Sequence, residues 1–157
     1  MTRMKSILFV CTGNTCRSVM AEALMKRALE KAGKREIAVG SAGIAAAGGV
    51  PPTDETIEVM NELGVDVTAH RATELSDALI EDSDLILVME DVHRQEILRR
   101  VPGAAEKTFL LKEYAYPGGV PDRTMYGVQD PIGWGIGYYR HTRDVINREI
   151  ERIALTV

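Results

Sequence analysis

The chain has 157 residues, 45% of them hydrophobic, and carries 19 Lys and Arg against 23 Asp and Glu, a formal net charge of -4. That length suits a single domain over 1–157 with a buried core, and the mixed charges, with no basic block, give no support to nucleic-acid binding by counterion release. No run approaches the roughly 18 apolar residues of a membrane span, MTRMKSILFV lacks the features of a signal peptide, and two cysteines are too few for a disulfide scaffold. A cytoplasmic protein is expected, without membrane or nucleic-acid partners, its two thiols serving reactivity, metal binding or packing.

In chain order, SILFV (Ser6 to Val10) has the pattern of a buried strand. Apolar residues at Ala21, Leu24, Met25, Ala28 and Ala32 then mark one face of a helix that Gly33 closes. EIAVGSAG supplies a second strand, and PTDETIEVMNELG a helix capped by Thr53 or Asp54 and ended by Gly64. LILVM (Leu85 to Met89) should be a central strand, followed by the helix DVHRQEILRR with Pro102-Gly103 as its stop. KTFLL is a fourth strand, and a last helix is predicted from about Tyr138, with Thr142, Ile146, Ile150, Ile153 and Val157 on its apolar face. Such alternation implies a mostly parallel sheet covered by helices on both faces. The segment Lys112 to Tyr139, rich in Gly, Pro and aromatics, reads as a long irregular loop and a pocket wall, or as a surface excursion packed on itself.

The first strand runs into VCTGNTCRS, Val10 to Ser18. In a parallel α/β sheet the turn after a strand aims backbone N–H groups and a helix N-terminus at one point beyond the sheet, the geometry of an anion site. Gly13 permits a tight bend there, and the Arg17 guanidinium adds a planar fork suited to two phosphate oxygens. The Gly-Lys-Ser/Thr ending of an ATP-type loop is absent. A cysteine in such a field is a nucleophile in waiting: a free thiol of pKa about 8.5 is only about 3% thiolate at pH 7, whereas thiols at helix N-termini beside arginine fall to roughly 3.5–7.5.

Cys-x5-Arg-Ser after an N-terminal strand, with GSAG (Gly40 to Gly43), AHRATEL (Ala69 to Leu75), LILVM before a His-bearing helix, and DPIG (Asp130 to Gly133), resembles the low-molecular-weight protein tyrosine phosphatase family over essentially the whole chain. The resemblance implies a three-layer α/β sandwich around a central four-stranded parallel sheet. It implies a hydrolase of phosphorylated proteins acting through a phosphocysteine on Cys11, with Arg17 clamping phosphate and Asp130 as general acid and then base. Thr12, Gly13, Asn14, Thr15, Cys16, Arg17 and Ser18 would form the phosphate loop, supported by Ser41 and His70. Cys16 resembles the family's second loop cysteine, able to pair with an oxidised nucleophile, or it is a packing residue. Asp130 read without the resemblance is equally an ordinary turn residue before proline. His93 and His141 sit within helix patterns and read as solvent-facing or packing residues. No metal or cofactor is expected, since the cysteines and three scattered histidines lack a zinc spacing, and the implied assembly is a monomer or weak dimer.

Departures from the family pattern are Val19, where proline is usual after the loop, the lack of an aromatic in GIAAAGGVPP, and Ile132, where an aromatic usually follows Asp-Pro. Trp134, Tyr126 or Tyr138 are available to wall the pocket in its place. Thr15 distinguishes substrates: tyrosine-specific relatives usually carry an apolar β-branched residue there, whereas the bacterial protein-arginine phosphatase branch carries threonine in CTGNTCRS. LLKEY (Leu110 to Tyr114) and YRHTRD (Tyr139 to Asp144) also resemble that branch. Phosphoarginine is therefore the favoured substrate and phosphotyrosine the alternative. Arsenate reduction lacks a downstream cysteine pair, and an idle anion-binding module would be expected to lose Cys11, Arg17 or Asp130.

Overall fold

The computed structural model describes residues 3–116 and 127–157. Four parallel strands, β1 (Ser6–Cys11), β2 (Ala38–Gly43), β3 (Leu85–Val88) and β4 (Thr108–Leu110), form one sheet in the order β2-β1-β3-β4. β1 is flanked on both sides, so its alternating side chains must be apolar on both faces. Ile7, Phe9 and Cys11 enter one core with residues of α1 (Arg17–Lys31), α2 (Asp54–Asn61), α5 (Leu111–Ala115) and α6 (Ile136–Ala154). Leu8 and Val10 enter the other with Ile80 of α3 (Asp77–Asp82) and Ile97 of α4 (Asp91–Arg100). Helices on both faces of a four-stranded sheet are the expected sandwich.

The expected elements form, with boundary shifts that have local causes. α1 starts at Arg17 without a proline after the loop, with Val19 buried in the core instead. Its apolar face ends on Leu29, while Ala32 is the exposed C-cap and Gly33 takes the left-handed conformation (φ +71). Thr53, rather than Asp54, caps α2, its hydroxyl accepting from Thr56 N. Pro102-Gly103 ends α4 but also opens a 3-10 turn over Pro102–Lys107, which shortens β4 relative to KTFLL. The segment Lys112 to Tyr139 is less irregular than its composition suggests. Lys112 to Ala115 belong to α5, and α6 begins at Ile136 rather than Tyr138; residues 117–126, including Tyr126, lie outside the described residues. The unanticipated helix α3 spans six residues, too short to show a period, yet its N-cap Ser76 accepts from Leu79 N.

The sheet register fixes where the loop after β1 can go. Cys11 pairs with Gly43 at the ends of β1 and β2, and a Cβ on Gly43 would lie 2.5 Å from Thr12 O and 2.9 Å from Asn14 N. These are backbone atoms that cannot swing away, so only glycine lets the loop approach β2 this closely. Gly43→Ala is therefore expected to cost about 1–3 kcal/mol, as overpacking does, and to lower the melting temperature by at least about 2 °C. Gly40→Ala, whose added carbon meets only Leu8 Cδ1 at 3.9 Å, should melt close to wild type. Equal melting of the two variants in calorimetry would show that the loop can retreat from Gly43.

Candidate active site

The loop from Cys11 to Ser18 is shaped by donors that take its carbonyls from outside. Cys11 O accepts from Ile44 N (3.0 Å), Thr12 O from Ala45 N (2.9 Å), Asn14 O from the His70 ring Nε2–H (3.0 Å) and Thr15 O from Thr53 N (3.1 Å). With the carbonyls held outward, the amide groups are left over. Among the described residues, the N–H groups of Gly13, Thr15, Cys16, Arg17 and Ser18 meet no protein acceptor, and they sit at the N-terminus of α1. Free amides leading into a helix N-terminus have the character that an anion cradle requires.

Asn14 holds that shape. It is fully buried at φ 55, a left-handed conformation that asparagine tolerates better than most residues. Its side-chain nitrogen donates to Ser18 Oγ (2.7 Å) and Ser41 Oγ (2.9 Å), and its oxygen accepts from Thr73 N (2.9 Å). Ser41 Oγ passes its own proton to Glu22 Oε1 at 2.6 Å. Ser18 Oγ accepts from Asn14, so its hydroxyl hydrogen is free to point at Cys11 Sγ, 2.8 Å away, and Asn14 N donates to the same sulfur at 3.3 Å. Donors gathered on sulfur stabilise negative charge there. Ser41 and His70 thus stand where the sequence placed them, behind the loop.

Arg17 is 2% exposed, and a buried guanidinium needs partners. Nη1 donates to Val128 O at 2.8 Å and to Glu90 Oε1, while Nη2 lies 3.5 Å from Thr12 Oγ1 and 3.8 Å from Asp130 Oδ2. Pinning Nη1 leaves the Nε–Nη2 edge for two oxygens of an anion in the cradle. The segment carrying Asp130 is tied down in turn, because Val128 N donates to Met89 O at 2.7 Å beyond β3. Asp130 combines its two anticipated readings: Oδ1 accepts from Ile132 N (3.1 Å) in a local turn, while Oδ2 faces Arg17. Cys11, Arg17 and Asp130, distant in sequence, are brought to one place.

One expectation needs correction. His93 is neither solvent-facing nor mere packing: it is fully buried, with Nδ1 accepting from Glu90 N (3.0 Å) and Nε2 lying 2.9 Å from Thr12 Oγ1. Burial, and then the Arg17 charge, push it down to about 4, against a smaller opposing pull from Asp130. Cys16 contributes no side chain to the cradle, for its thiol is buried in the main core, and burial pushes it up to about 12 despite the Thr56 hydroxyl beside it. A thiol buried in this way is what the packing alternative expects, and the Cys16 amide remains to the loop. Glu90 was missed altogether, as was Gly43 except as part of a motif. Glu90 sits just beyond β3 and Gly43 is the last residue of β2, at the strand ends where residues of a parallel sheet converge. His141 is exposed beside Tyr138, and past Asp130 Ile132 and Trp134 are exposed, the latter 74% exposed and tilted against Tyr138.

The family model for low molecular weight phosphotyrosine protein phosphatase matches residues 6–157. The chain belongs to that family. It is a protein phosphatase, a hydrolase whose substrates are phosphorylated proteins. It is 38% identical over 148 residues to the protein-arginine-phosphatase of Bacillus subtilis, covering 94% of this chain and 93% of that protein. It is 35% identical over 147 residues to the probable low molecular weight protein-tyrosine-phosphatase EpsP of Ralstonia nicotianae, covering 94% and 92%. Among solved structures it is similar to YwlE arginine phosphatase in a cysteine-to-serine mutant with a phosphorylated active-site serine: TM-score 0.86, 37% identity, and 96% and 93% of the two chains covered. Among the described residues, no helix is long and apolar enough to cross a membrane.

Because the folded His93 value lies below the ordinary 6.5, the unfolded chain takes up this proton first as pH falls. The stability contributed by neutral His93 is therefore full above about pH 6.5 and is lost from there down to about pH 4. Urea titrations should show wild type losing about 1–3 kcal/mol more than His93→Gln across that window. Parallel losses would mean that His93 titrates as an ordinary exposed histidine.

Proposed function

We propose that this phosphatase acts on phosphoarginine in proteins. In this reading the cradle amides and Arg17 hold the phosphoryl group while Cys11 Sγ attacks phosphorus, and the P–N bond breaks as Asp130 gives its proton to the departing guanidine nitrogen. Asp130, now a carboxylate, takes a proton from the water that attacks the phosphocysteine, releasing phosphate and restoring the thiolate. Positioned acid–base help of this kind is typically worth about 10² to 10⁴ in rate. The loop residues Thr12 to Ser18 bind phosphate in this scheme, and Ser41 and His70 keep the loop in shape.

The observation that carries the substrate choice is Thr15. Among the described residues its hydroxyl has no hydrogen-bond partner, and it lies across the loop from Gly13, whose added Cβ would stand 3.6 Å from Thr15 Oγ1. A free hydroxyl beside the cradle suits a guanidinium N–H or an attacking water, whereas an apolar side chain would leave such a group unpaired at about 1–3 kcal/mol. The similarity to the Bacillus subtilis protein-arginine-phosphatase points the same way. Phosphotyrosine is the second reading, favoured by the aromatic pair Trp134 and Tyr138 after Asp130 and by the EpsP similarity. The proposal further takes the enzyme to be a cytoplasmic monomer or weak dimer, a reducing compartment suiting a reaction that needs Cys11 as a free thiol.

Two measurements test this reading. Cys11→Ser should abolish hydrolysis of para-nitrophenyl phosphate while retaining phosphate binding, because amides and Arg17 survive the change; substantial turnover would remove the phosphocysteine step. Assayed side by side on phosphoarginine and phosphotyrosine peptides, wild type should prefer the former, and Thr15→Ile should shift the ratio at least about fivefold toward phosphotyrosine. A wild-type preference for phosphotyrosine would establish the second reading instead.

A further inference from the structure

Thr12 follows the nucleophile in sequence and is exposed at the mouth of the loop, yet its hydroxyl oxygen is held by the protein. The tautomer of His93 decides how. Glu90 N–H donates to Nδ1 at 3.0 Å, so in the neutral ring the proton resides on Nε2, and Nε2–H is the donor in the 2.9 Å contact with Thr12 Oγ1. Among the described residues, the other group at this oxygen is Arg17 Nη2–H, at 3.5 Å, which is also a donor. A hydroxyl has one proton to give. With donors on its lone pairs and no acceptor for that O–H among the described residues, the Thr12 hydroxyl is left to donate to an acceptor from outside, on the side where Arg17 Nη2 also points a donor.

We propose that the Thr12 hydroxyl is a substrate ligand, donating to a phosphoryl oxygen in the cradle, and that buried His93 is the positioning residue that turns this proton outward. The assignment rests on the phosphatase site proposed above and adds a side-chain donor to one otherwise built of backbone amides and Arg17. His93 is suited to the task by rigidity. Its ring is fixed at Nδ1 by the amide that opens α4, and its neutral form leaves a single tautomer compatible with that bond. Glu90 closes the arrangement, since one residue supplies both the amide to His93 and the carboxylate to Arg17. The two groups that touch Thr12 Oγ1 are thereby referred to the same point beyond β3.

The test compares wild type, Thr12→Val, Thr12→Ser, His93→Leu, His93→Gln and the double variant Thr12→Val/His93→Leu. The readouts are kcat and KM for para-nitrophenyl phosphate and competitive inhibition by inorganic phosphate. Thr12→Val should weaken phosphate inhibition and lower kcat/KM by about tenfold, the scale of one lost hydrogen bond to a charged group, while Thr12→Ser recovers most of the loss. His93→Leu should match Thr12→Val and should cost nothing further in the Thr12→Val background, while His93→Gln, which keeps an N–H near the Nε2 position, recovers activity. Multiplicative losses in the double variant would overturn the proposal, as would Thr12→Val at wild-type phosphate inhibition. Should His93→Leu fail to fold, the exposed Thr12 pair and His93→Gln carry the test. Cys11→Ser run alongside separates the two levels: residual turnover there would sink the phosphocysteine reading, whatever Thr12 does.

Discussion

The site depends on one backbone conformation, the left-handed turn at Asn14. At φ 55 the chain curls so that amides of the loop can face one point while its carbonyls face the body of the protein. No other residue type serves this position so well. Glycine would accept the dihedral but supply no side chain, and most others would pay a steric cost. Asparagine tolerates the conformation and also bridges Ser18, Ser41 and the Thr73 amide. Four segments of chain, the loop, β2, the stretch before α3 and, through Glu22, α1 itself, therefore meet at one buried amide group. Energy stored in that conformation is held by hydrogen bonds that would be unmade in any other, so the cradle is shaped before an anion arrives.

Arg17 poses the complementary problem of a permanent charge with almost no access to water. Its solution is division of labour along the guanidinium: Nη1 is committed to Glu90 and the Val128 carbonyl, while Nη2 faces Thr12 and Asp130, the side the proposed reaction gives to the phosphoryl group. Glu90 is itself partly exposed, which lowers the cost of an uncompensated carboxylate when a dianionic guest draws the arginine charge toward itself. Asp130 stands farther off, near enough to feel Arg17 and not hydrogen-bonded to it. The proposed reaction asks Asp130 to give and take a proton, and a carboxylate outside a tight ion pair is placed for that.

How much of this was legible in the sequence follows from how each residue is tied to its neighbours. The sheet, α1 and α6 were readable from the pattern of their apolar residues, α2 and α4 from the caps and stops at their ends, and the loop because its residues are contiguous. α3 was not, being too short to show a period. Gly43 was visible only as part of a motif, since its importance lies in the backbone that passes 2.5 Å from its missing side chain. His93 was misread because its place in a helix does not say that its ring meets Glu90 N and Thr12 Oγ1, and the two readings of Cys16 stood open because adjacency to the cradle in sequence does not decide which side of the loop a thiol takes. Glu90 left no local signal at all. It matters through Arg17, 73 residues earlier.

These misses share a location that explains them. Glu90 and His93 follow β3, Gly43 ends β2, and Val128 is hydrogen-bonded to Met89, so each lies just past the carboxyl end of a strand beside or near β1. Parallel strands bring those ends together because all point the same way, and the polar backbone beyond them has no ladder partner left. Residues placed there must satisfy the orphaned groups as well as shape the ligand site. Val128 does both with one peptide, its N–H closing the Met89 carbonyl while its C=O holds Arg17. Asp130, two residues on, is consequently referenced to the same strand end as Glu90 and His93. Asp130, Arg17 and the Thr12 hydroxyl, to which the proposed reaction gives the parts of acid, clamp and donor, are thus all set by the end of β3, and a displacement of that strand end would misalign them together while leaving the Asn14 turn, which is built from β1 and β2, intact.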